Sequence, residues 1–224
     1  MNRRNFTKFA LSGLAFSFLS DSMGRAALPM AAQPSAPAPV PVVPRAVPPA
    51  PAVPYAALLE RAKAALDHHA DSFTLRDRVG LVDFNAPSKE LRMHVVDLIG
   101  GQASSYLVAH GRGSDPAHSG WLQSFSNEPN SLASSSGAFK TGEQYIGQHG
   151  RAMRLLGLDP QNNNAEPRAI VIHGAAYVNE EHVAAWGKCG RSEGCFAVAP
   201  HMLPQLLGLL GQGRMLFADK INAV

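Results

Sequence analysis

Two short segments carry the strongest signals in this sequence: RAIVIHGAAY at residues 168–177 and GRSEGCFAV at residues 190–198. Each contains a brief apolar run beside a glycine, which is the pattern of a short buried β-strand. The first run ends at His173, and the second begins at Cys195. The sequence therefore predicts two core strands, Ala169–His173 and Cys195–Val198.

Similar apolar runs recur on both sides of these segments, separated by Gly, Ser, Asn and Pro. Gly100-Gly101 lies between two of the runs and is a hairpin signal. Short strands at this spacing are typical of an antiparallel or mixed β-sandwich or barrel. We therefore expect a single, mainly β domain with short helices. The further predicted strands are Gly80–Phe84, Leu91–Leu98, Ser105–Ala109, Ala138–Thr141, Ala152–Leu158 and Arg214–Ala218.

Three segments have helical character. Tyr55–Ala70 is rich in Ala and Leu at helical spacing, and Asn179–Trp186 and Leu203–Leu210 are shorter candidates. Asn179 is a residue type that caps a helix N-terminus, so we expect the second helix to begin there.

The first 32 residues have the layout of an export signal. A basic start, Met1–Lys8, is followed by the apolar stretch Phe9–Leu19 and by small residues at Gly24 and Ala26. The pair Arg3-Arg4 resembles the twin-arginine signature; a Sec signal with a chance arginine pair is the alternative. Either route predicts a protein exported to the periplasm or the cell envelope.

A proline-rich stretch follows the signal. Pro34–Pro54 holds nine of the 17 prolines, which favours an extended spacer without a core of its own. The predicted organisation is therefore a signal peptide at 1–32, a linker at 33–54 and one folded domain at 55–224.

The charge distribution excludes one large class of partners. Residues 1–32 hold four basic residues and one acidic residue, which leaves 16 basic and 16 acidic residues in 33–224. Nucleic-acid binding relies on clustered Lys and Arg, so we expect no nucleic-acid partner. No apolar run reaches the roughly 18–20 residues that a membrane-spanning helix needs, so we expect no span in the mature protein.

His173 and Cys195 are the residue types of nucleophilic catalysis, each predicted at a strand end, where a rigid frame can hold it. A cysteine attacks as the thiolate, and a nearby imidazole can take its proton. Gly194 permits a turn in which the Cys195 N–H points at a developing oxyanion. From these residues alone, a buried structural cysteine and a structural histidine remain the alternative.

No metal or cofactor motif is evident. His173, His182, Cys189 and Cys195 lack the spacing of common zinc sites, and no Walker or dinucleotide glycine pattern occurs. We therefore expect no metal and no cofactor. With only two cysteines, the chain is not a disulfide scaffold. Two roles stay open for Cys189: a spectator thiol, or a redox partner of Cys195.

Together the two segments resemble the catalytic signature of L,D-transpeptidases of the YkuD type, a His-Gly turn followed some twenty residues later by Ser/Thr-x-Gly-Cys. His173 and Cys195 are 22 positions apart, and the second motif reads Ser192-Glu193-Gly194-Cys195. Glu193 departs from the best-known members, which carry histidine there. Upstream blocks extend the similarity, from about Asp83 to Lys220, to the murein L,D-transpeptidase catalytic-domain branch: Val108–Gly111, Phe125–Asn127, Ser134–Gly137, Tyr145–Gly150 and Leu155–Leu158.

The resemblance implies a cysteine acyl transferase acting on peptidoglycan stem peptides. Cys195 would attack the carbonyl of the L-centred third residue, expel D-Ala and pass the acyl group to an amine. That amine would belong to a neighbouring stem, giving a 3→3 cross-link, or to an envelope protein. His173 would be the general base, oriented by the Gly174 carbonyl, and Gly194 would shape the catalytic turn. An L,D-carboxypeptidase on the same stems and a non-catalytic envelope-binding module remain open.

Four further positions are candidate substrate contacts. We expect Arg191 to hold a stem carboxylate, Tyr177 to line the acyl-donor groove and His110 to flank the cleft. Ser192 would bind substrate or hydrogen-bond the turn. For each of the four, a purely structural role is the alternative.

Overall fold

The computed structural model describes residues 55–221. The predicted export signal and proline-rich linker lie outside these residues, as do the last three residues of the chain. None of the helices within 55–221 is long and apolar enough to cross a membrane.

A single mixed sheet of nine strands forms the body of this region, in the order β3-β2-β1-β9-β5-β6-β7-β8-β4. The pairs β1–β9 and β7–β8 are parallel, and the other pairs are antiparallel. This confirms the prediction of a mainly β fold with short helices. The strands are β1 (Arg78–Asp83), β2 (Met93–Asp97), β3 (Ala103–Tyr106), β4 (Val108–Ala109), β5 (Gly137–Gly147), β6 (Gly150–Gly157), β7 (Val171–Gly174), β8 (Phe196–Val198) and β9 (Met215–Asp219).

The two end strands of the sheet are joined directly by the chain. β3 and β4 stand at opposite ends of the strand order, yet only Leu107 separates them along the chain. Consecutive Cα atoms are about 3.8 Å apart, so the two end strands are close neighbours in space. The predicted strand Ser105–Ala109 is therefore wrong as a single strand, because the chain leaves one end of the sheet and enters the other within it.

Residues 55–221 contain three α-helices: α1 (Ala56–His68), α2 (Glu180–Trp186) and α3 (Leu203–Leu210). α1 buries Leu58, Ala62 and Leu66, one turn apart, against one face of the strands around β1 and β9. α3 places its leucines in the main core on the other face. The Asn179 side chain accepts a hydrogen bond from the His182 N–H, which confirms the predicted cap of α2.

The alternation of side chains along β7 and β8 determines which face of the sheet His173 occupies. Ile172 and Phe196 pair across the two strands and enter the main core. Successive side chains of a strand point to opposite faces, so His173 and its partner Ala197 lie on the other side of the sheet. That other face opens into the cleft described below.

Apart from the split strand, most predicted strands end within two residues of the observed ones, and the ends of β5 and β7 have a clear physical reason for the difference. β5 continues past Thr141 to Gly147, through a bulge between Thr141 and Gln144, and forms a long hairpin with β6. Of the six extra residues only Gly142 is buried, so they lack the apolar pattern that marks a buried strand. β7 begins at Val171, two residues later than predicted, because Ala169 has a φ of +54° and cannot continue an extended strand.

Candidate active site

A cleft of about 900 Å³ lies over the junction of β7 and β8. His173 and Cys195 both line it, together with the tip of the β5–β6 hairpin and residues of the segment 129–132. Cys195 is part-buried rather than enclosed, so its sulfur is open to a ligand in the cleft. The two residues singled out in the sequence therefore share one cavity.

The strand register explains why these side chains converge. β7 and β8 run parallel with His173 opposite Ala197. Cys195 stands two residues before Ala197, and residues two apart on an extended chain face the same side. Cys195 and His173 are thus presented from neighbouring strands to one face, which Val171 and Ala152 complete.

The His173 ring is held from two directions. Its Nδ1–H donates to the carbonyl of Gly174 at 3.0 Å. A carbonyl can only accept, so the proton sits on Nδ1 and Nε2 keeps a free lone pair. The ring of His149, at the tip of the β5–β6 hairpin, stacks on that of His173 with centroids 4.6 Å apart and planes inclined by 23°. Nε2 of His173 is therefore equipped to accept a proton.

Burial keeps both groups in their neutral forms. It lowers the pKa of His173, as does a charge on His149, while the Gly174 carbonyl raises it. Burial raises the pKa of the Cys195 thiol, as does Glu193, and the Val171 N–H and Arg168 act in the opposite direction. The resting thiol donates to the carbonyl of Ala169 at 3.4 Å. Such a pair needs proton transfer during reaction, because neither group is charged beforehand.

The turn before Cys195 is built by Ser192 and Gly194. The Ser192 hydroxyl donates to the carbonyl of Cys195 at 2.6 Å and accepts the Gly194 N–H at 3.2 Å. Gly194 has a φ of +118°, in a region that favours glycine, and a Cβ there would come within 2.8 Å of the Ala133 carbonyl oxygen. No other residue fits this position without moving its neighbours.

A family model described as "L,D-transpeptidase catalytic domain" matches residues 52–218, three quarters of the chain. The chain belongs to the L,D-transpeptidase catalytic-domain family. It is therefore an enzyme domain of this class, as the two motifs predicted.

Solved structures of low identity resemble the chain in fold. The helical cell shape determining protein from Campylobacter jejuni is 12% identical with a TM-score of 0.43, over 68% of this chain and 50% of that one. An L,D-transpeptidase from Mycobacterium smegmatis is 12% identical with a TM-score of 0.39, over 64% and 58%. One from Xylanimonas cellulosilytica is 14% identical with a TM-score of 0.41, over 71% and 69%. The chain thus spans only half to three fifths of the first two structures. No curated protein matches significantly.

Three of the expected substrate contacts line the cleft of this L,D-transpeptidase domain: Arg191, Ser192 and Tyr177. Arg191 is anchored by hydrogen bonds to the carbonyls of Asp115 and Pro116, so its guanidinium is held at the cleft wall. Ser192 is buried and engaged within the turn, which favours the structural alternative for its hydroxyl.

His110 lies elsewhere, which corrects its predicted place at the flank of the cleft. It is 1% exposed and does not line the cavity. Its Nδ1 accepts from Arg92 at 2.8 Å and its Nε2–H donates to Asp115 at 3.3 Å. Burial and the neighbouring Arg92 lower the pKa of His110 to about 4, so it stays neutral. Its backbone carbonyl accepts the Ser192 N–H, so it supports the cysteine turn from behind.

Cys189 and Glu193 have distinct surroundings. Cys189 is 1% exposed and its thiol donates to the Ser88 carbonyl at 2.9 Å. Burial raises the pKa of Cys189 to about 11, so it stays a thiol. Glu193 is exposed at the cleft and pairs with Arg112 at 2.7 Å. The structure places both cysteines as free thiols.

Among the cleft residues that the sequence did not single out, Arg168 and Ala169 act directly on Cys195. Arg168 opens the first quoted segment but gives no motif, and its hydrogen-bond partners lie more than thirty residues earlier in the chain. Ala169, which accepts the thiol hydrogen bond, has no side-chain signal for its left-handed conformation. Within residues 55–221, no group of three or more His, Cys, Asp or Glu side chains could hold a metal ion.

Proposed function

We propose that this domain is a cysteine acyl transferase that acts on peptidoglycan stem peptides through Cys195 and His173. One observation carries the proposal: both side chains open into one cleft from neighbouring strands, and His173 keeps a free Nε2 lone pair. Family membership supplies the substrate class. The predicted export signal fits a cell-envelope location for the enzyme.

In the first half-reaction, Cys195 Sγ attacks the carbonyl carbon of the third, L-centred residue while His173 Nε2 takes the thiol proton. The tetrahedral intermediate then collapses and the bond to D-Ala breaks. His173 returns the proton to the departing D-Ala amine, which leaves a thioester on Cys195. The neutral resting state of both groups supports this general-base route, because the thiol must lose its proton as it attacks.

In the second half-reaction, the amine of a neighbouring stem attacks the thioester carbonyl. His173 takes a proton from that amine, the C–S bond breaks, and His173 passes the proton to the leaving sulfur, which regenerates the thiol. The product is a 3→3 cross-link. The amine of an envelope protein would react by the same steps and become anchored to the wall.

The glycine turn supports stabilisation of the oxyanion in both half-reactions. The positive φ of Gly194 and the Ser192 hydrogen bonds fix the main chain directly before the nucleophile. We propose that the Cys195 N–H donates to the oxyanion from this turn. Loss of one such donor typically costs about 3–4 kcal/mol of barrier.

The cleft is large enough for a peptide stem. Its volume falls within the roughly 300–1,000 Å³ of ordinary ligand sites. Arg191 supplies a fixed cation for a stem carboxylate, and Tyr177 supplies a flat wall. We therefore assign these two residues to the acyl donor, while Ser192 acts within the turn.

The test is incubation of the purified domain with a tetrapeptide stem that ends in D-Ala, followed by mass spectrometry of the peptides. We expect release of D-Ala and a cross-linked dimer. The matching tripeptide, which has no D-Ala to lose, should give no dimer alone. If the tetrapeptide yields only tripeptide, water is the acceptor and the enzyme is a carboxypeptidase; if it is unchanged, the proposed substrate is wrong.

A change at His149 tests the basis for the lowered pKa of His173. In His149→Gln, both the stacked ring and its charge are lost, so the pKa of His173 should rise. Less of the neutral base is then present at mildly acidic pH, and the acid limb of the acylation rate should move to higher pH. The rate is followed as the mass increase of the protein with a reactive acyl donor.

His182→Gln is the matched control, because His182 stacks on Trp186 in α2 and does not line the cleft. Its acid limb should coincide with that of the wild type. An acid limb unchanged in His149→Gln would show that the stack does not influence the base.

A further inference from the structure

Arg168 is the most heavily bonded cation of the cleft. Its Nη1 donates to the Ser126 carbonyl at 2.7 Å and to the Ser135 hydroxyl at 2.8 Å. Its Nη2 donates to the Ser131 hydroxyl at 3.1 Å and to the Ala133 carbonyl. Four acceptors thus fix one guanidinium, and all belong to a single segment, residues 126–135.

That segment lies directly against the cysteine turn. The Ser134 hydroxyl donates to the Gly194 carbonyl at 3.1 Å and accepts the Gly111 N–H at 3.0 Å. The Ala133 carbonyl faces Gly194 closely enough to exclude any side chain there. Whatever holds the segment in place therefore also holds the turn that presents Cys195.

Arg168 is also linked to the Cys195 thiol through its neighbour in the chain, Ala169. The next residue, Ala169, has a φ of +54°, and its carbonyl accepts the Cys195 thiol. A left-handed non-glycine residue persists only where its surroundings enforce it. The Arg168 side chain anchors one flank of Ala169, and the bond from the Ile170 N–H to the Ala165 carbonyl closes the turn.

We propose that Arg168 is a positioning residue that clamps residues 126–135 against the cysteine turn and brings a fixed positive charge to the Cys195 sulfur. The proposal rests on the proposed function, in which Cys195 is the nucleophile. The clamp and the charge can be tested separately with Arg168→Lys. Lysine keeps the positive charge but cannot reproduce the planar fork of five N–H donors that holds the segment.

Several other charged or titratable side chains surround Cys195 besides Arg168. The charged or titratable side chains that line the cleft with Cys195 are Tyr145, His149, Arg168, His173, Tyr177, Arg191 and Glu193. Of these, Arg168 lowers the pKa of Cys195, whereas burial and Glu193 raise it. Removal of Arg168 should therefore leave a larger fraction of neutral thiol at a given pH.

The experiment follows alkylation of Cys195 by iodoacetamide from pH 6 to 10, located by peptide mapping, in Arg168→Gln, Arg168→Lys and the wild type. In Arg168→Gln we expect the midpoint to move to higher pH and the rate at pH 7.5 to fall accordingly. In Arg168→Lys the midpoint should stay near that of the wild type. Arg76→Gln, an exposed arginine that pairs with Asp67, is the control and should match the wild type.

Amide hydrogen exchange tests the clamp. Exchange in residues 131–136 and 192–195 should accelerate at least tenfold in both Arg168 variants and not in Arg76→Gln. If Arg168→Gln does not fold, Arg168→Lys still decides, since a clamp requires faster exchange there. Unchanged exchange overturns the clamp, and an unchanged alkylation midpoint in a folded Arg168→Gln overturns the role of the charge.

Neither measurement uses a peptidoglycan substrate. If the wild type is alkylated as expected but leaves stem peptides unchanged, the proposed function fails while the role of Arg168 is still decided.

Discussion

Replacement of Cys195 by alanine is expected to abolish every covalent acyl adduct of the domain and all turnover of stem peptides. A cysteine that attacks an amide must become a thioester, so the acyl group has to appear on one sulfur. The wild type should gain the mass of a carbapenem, whose strained β-lactam carbonyl acylates an activated nucleophile. Cys195→Ser should lose nearly all activity, because a hydroxyl is far harder to deprotonate than a thiol of pKa about 8.5. Intact-protein mass spectrometry measures the adduct, and digestion locates it.

The chain supplies its own matched control in Cys189. This thiol is buried, donates to the Ser88 carbonyl and has its pKa raised to about 11. We therefore expect no adduct on Cys189, and Cys189→Ala should still be acylated at Cys195. An adduct that survives Cys195→Ala would place the nucleophile elsewhere and return the domain to the binding-module alternative.

Replacement of His173 by alanine has the second largest expected effect. At neutral pH the acylation rate should fall by about 10²–10⁴-fold, the usual contribution of a general base. The loss should shrink as pH rises, because the thiolate then forms without help. Since burial and Glu193 raise the pKa of Cys195, recovery should begin above the usual thiol value of about 8.5, not below it. A rate–pH profile of adduct formation from pH 6 to 10 measures both features.

His68→Ala is the control for this change, because His68 is exposed on α1 and does not line the cleft. Its profile should match that of the wild type. If His173→Ala acylates normally at neutral pH, another group is the base and the mechanism proposed above is wrong.

The local pattern of the sequence was enough to place the strands that form the core. The runs around Leu81, Val95, Ile172, Phe196 and Leu216 are apolar because each is buried in the sheet, and each gave a strand. The outer half of β5 was not visible, since its residues are mostly exposed and carry no alternation. The split at Leu107 was equally hidden, because nothing local shows that β3 and β4 pair with opposite ends of the sheet.

The residues of the site also differ in whether a local motif or a distant contact reveals them. Two short contiguous motifs were visible in the sequence: one contains His173 and Gly174, and the other contains Gly194 and Cys195. Arg168 gave no signal, because the serine and carbonyl acceptors that define it come from another part of the chain. His110 was misplaced since a histidine before a glycine looks alike in a cleft wall and in a buried network.

The strand order has a consequence for how the protein can be made. β9 is the last strand within residues 55–221, yet it lies between β1 and β5 near the middle of the sheet. β1 pairs with β9, which lies more than 130 residues later in the chain, and contacts of such long sequence separation form slowly. A nascent chain cannot complete its core on the ribosome until almost the whole domain has emerged. A chain truncated after Gly213 would lack β9, which is an interior strand of the sheet and not a peripheral segment.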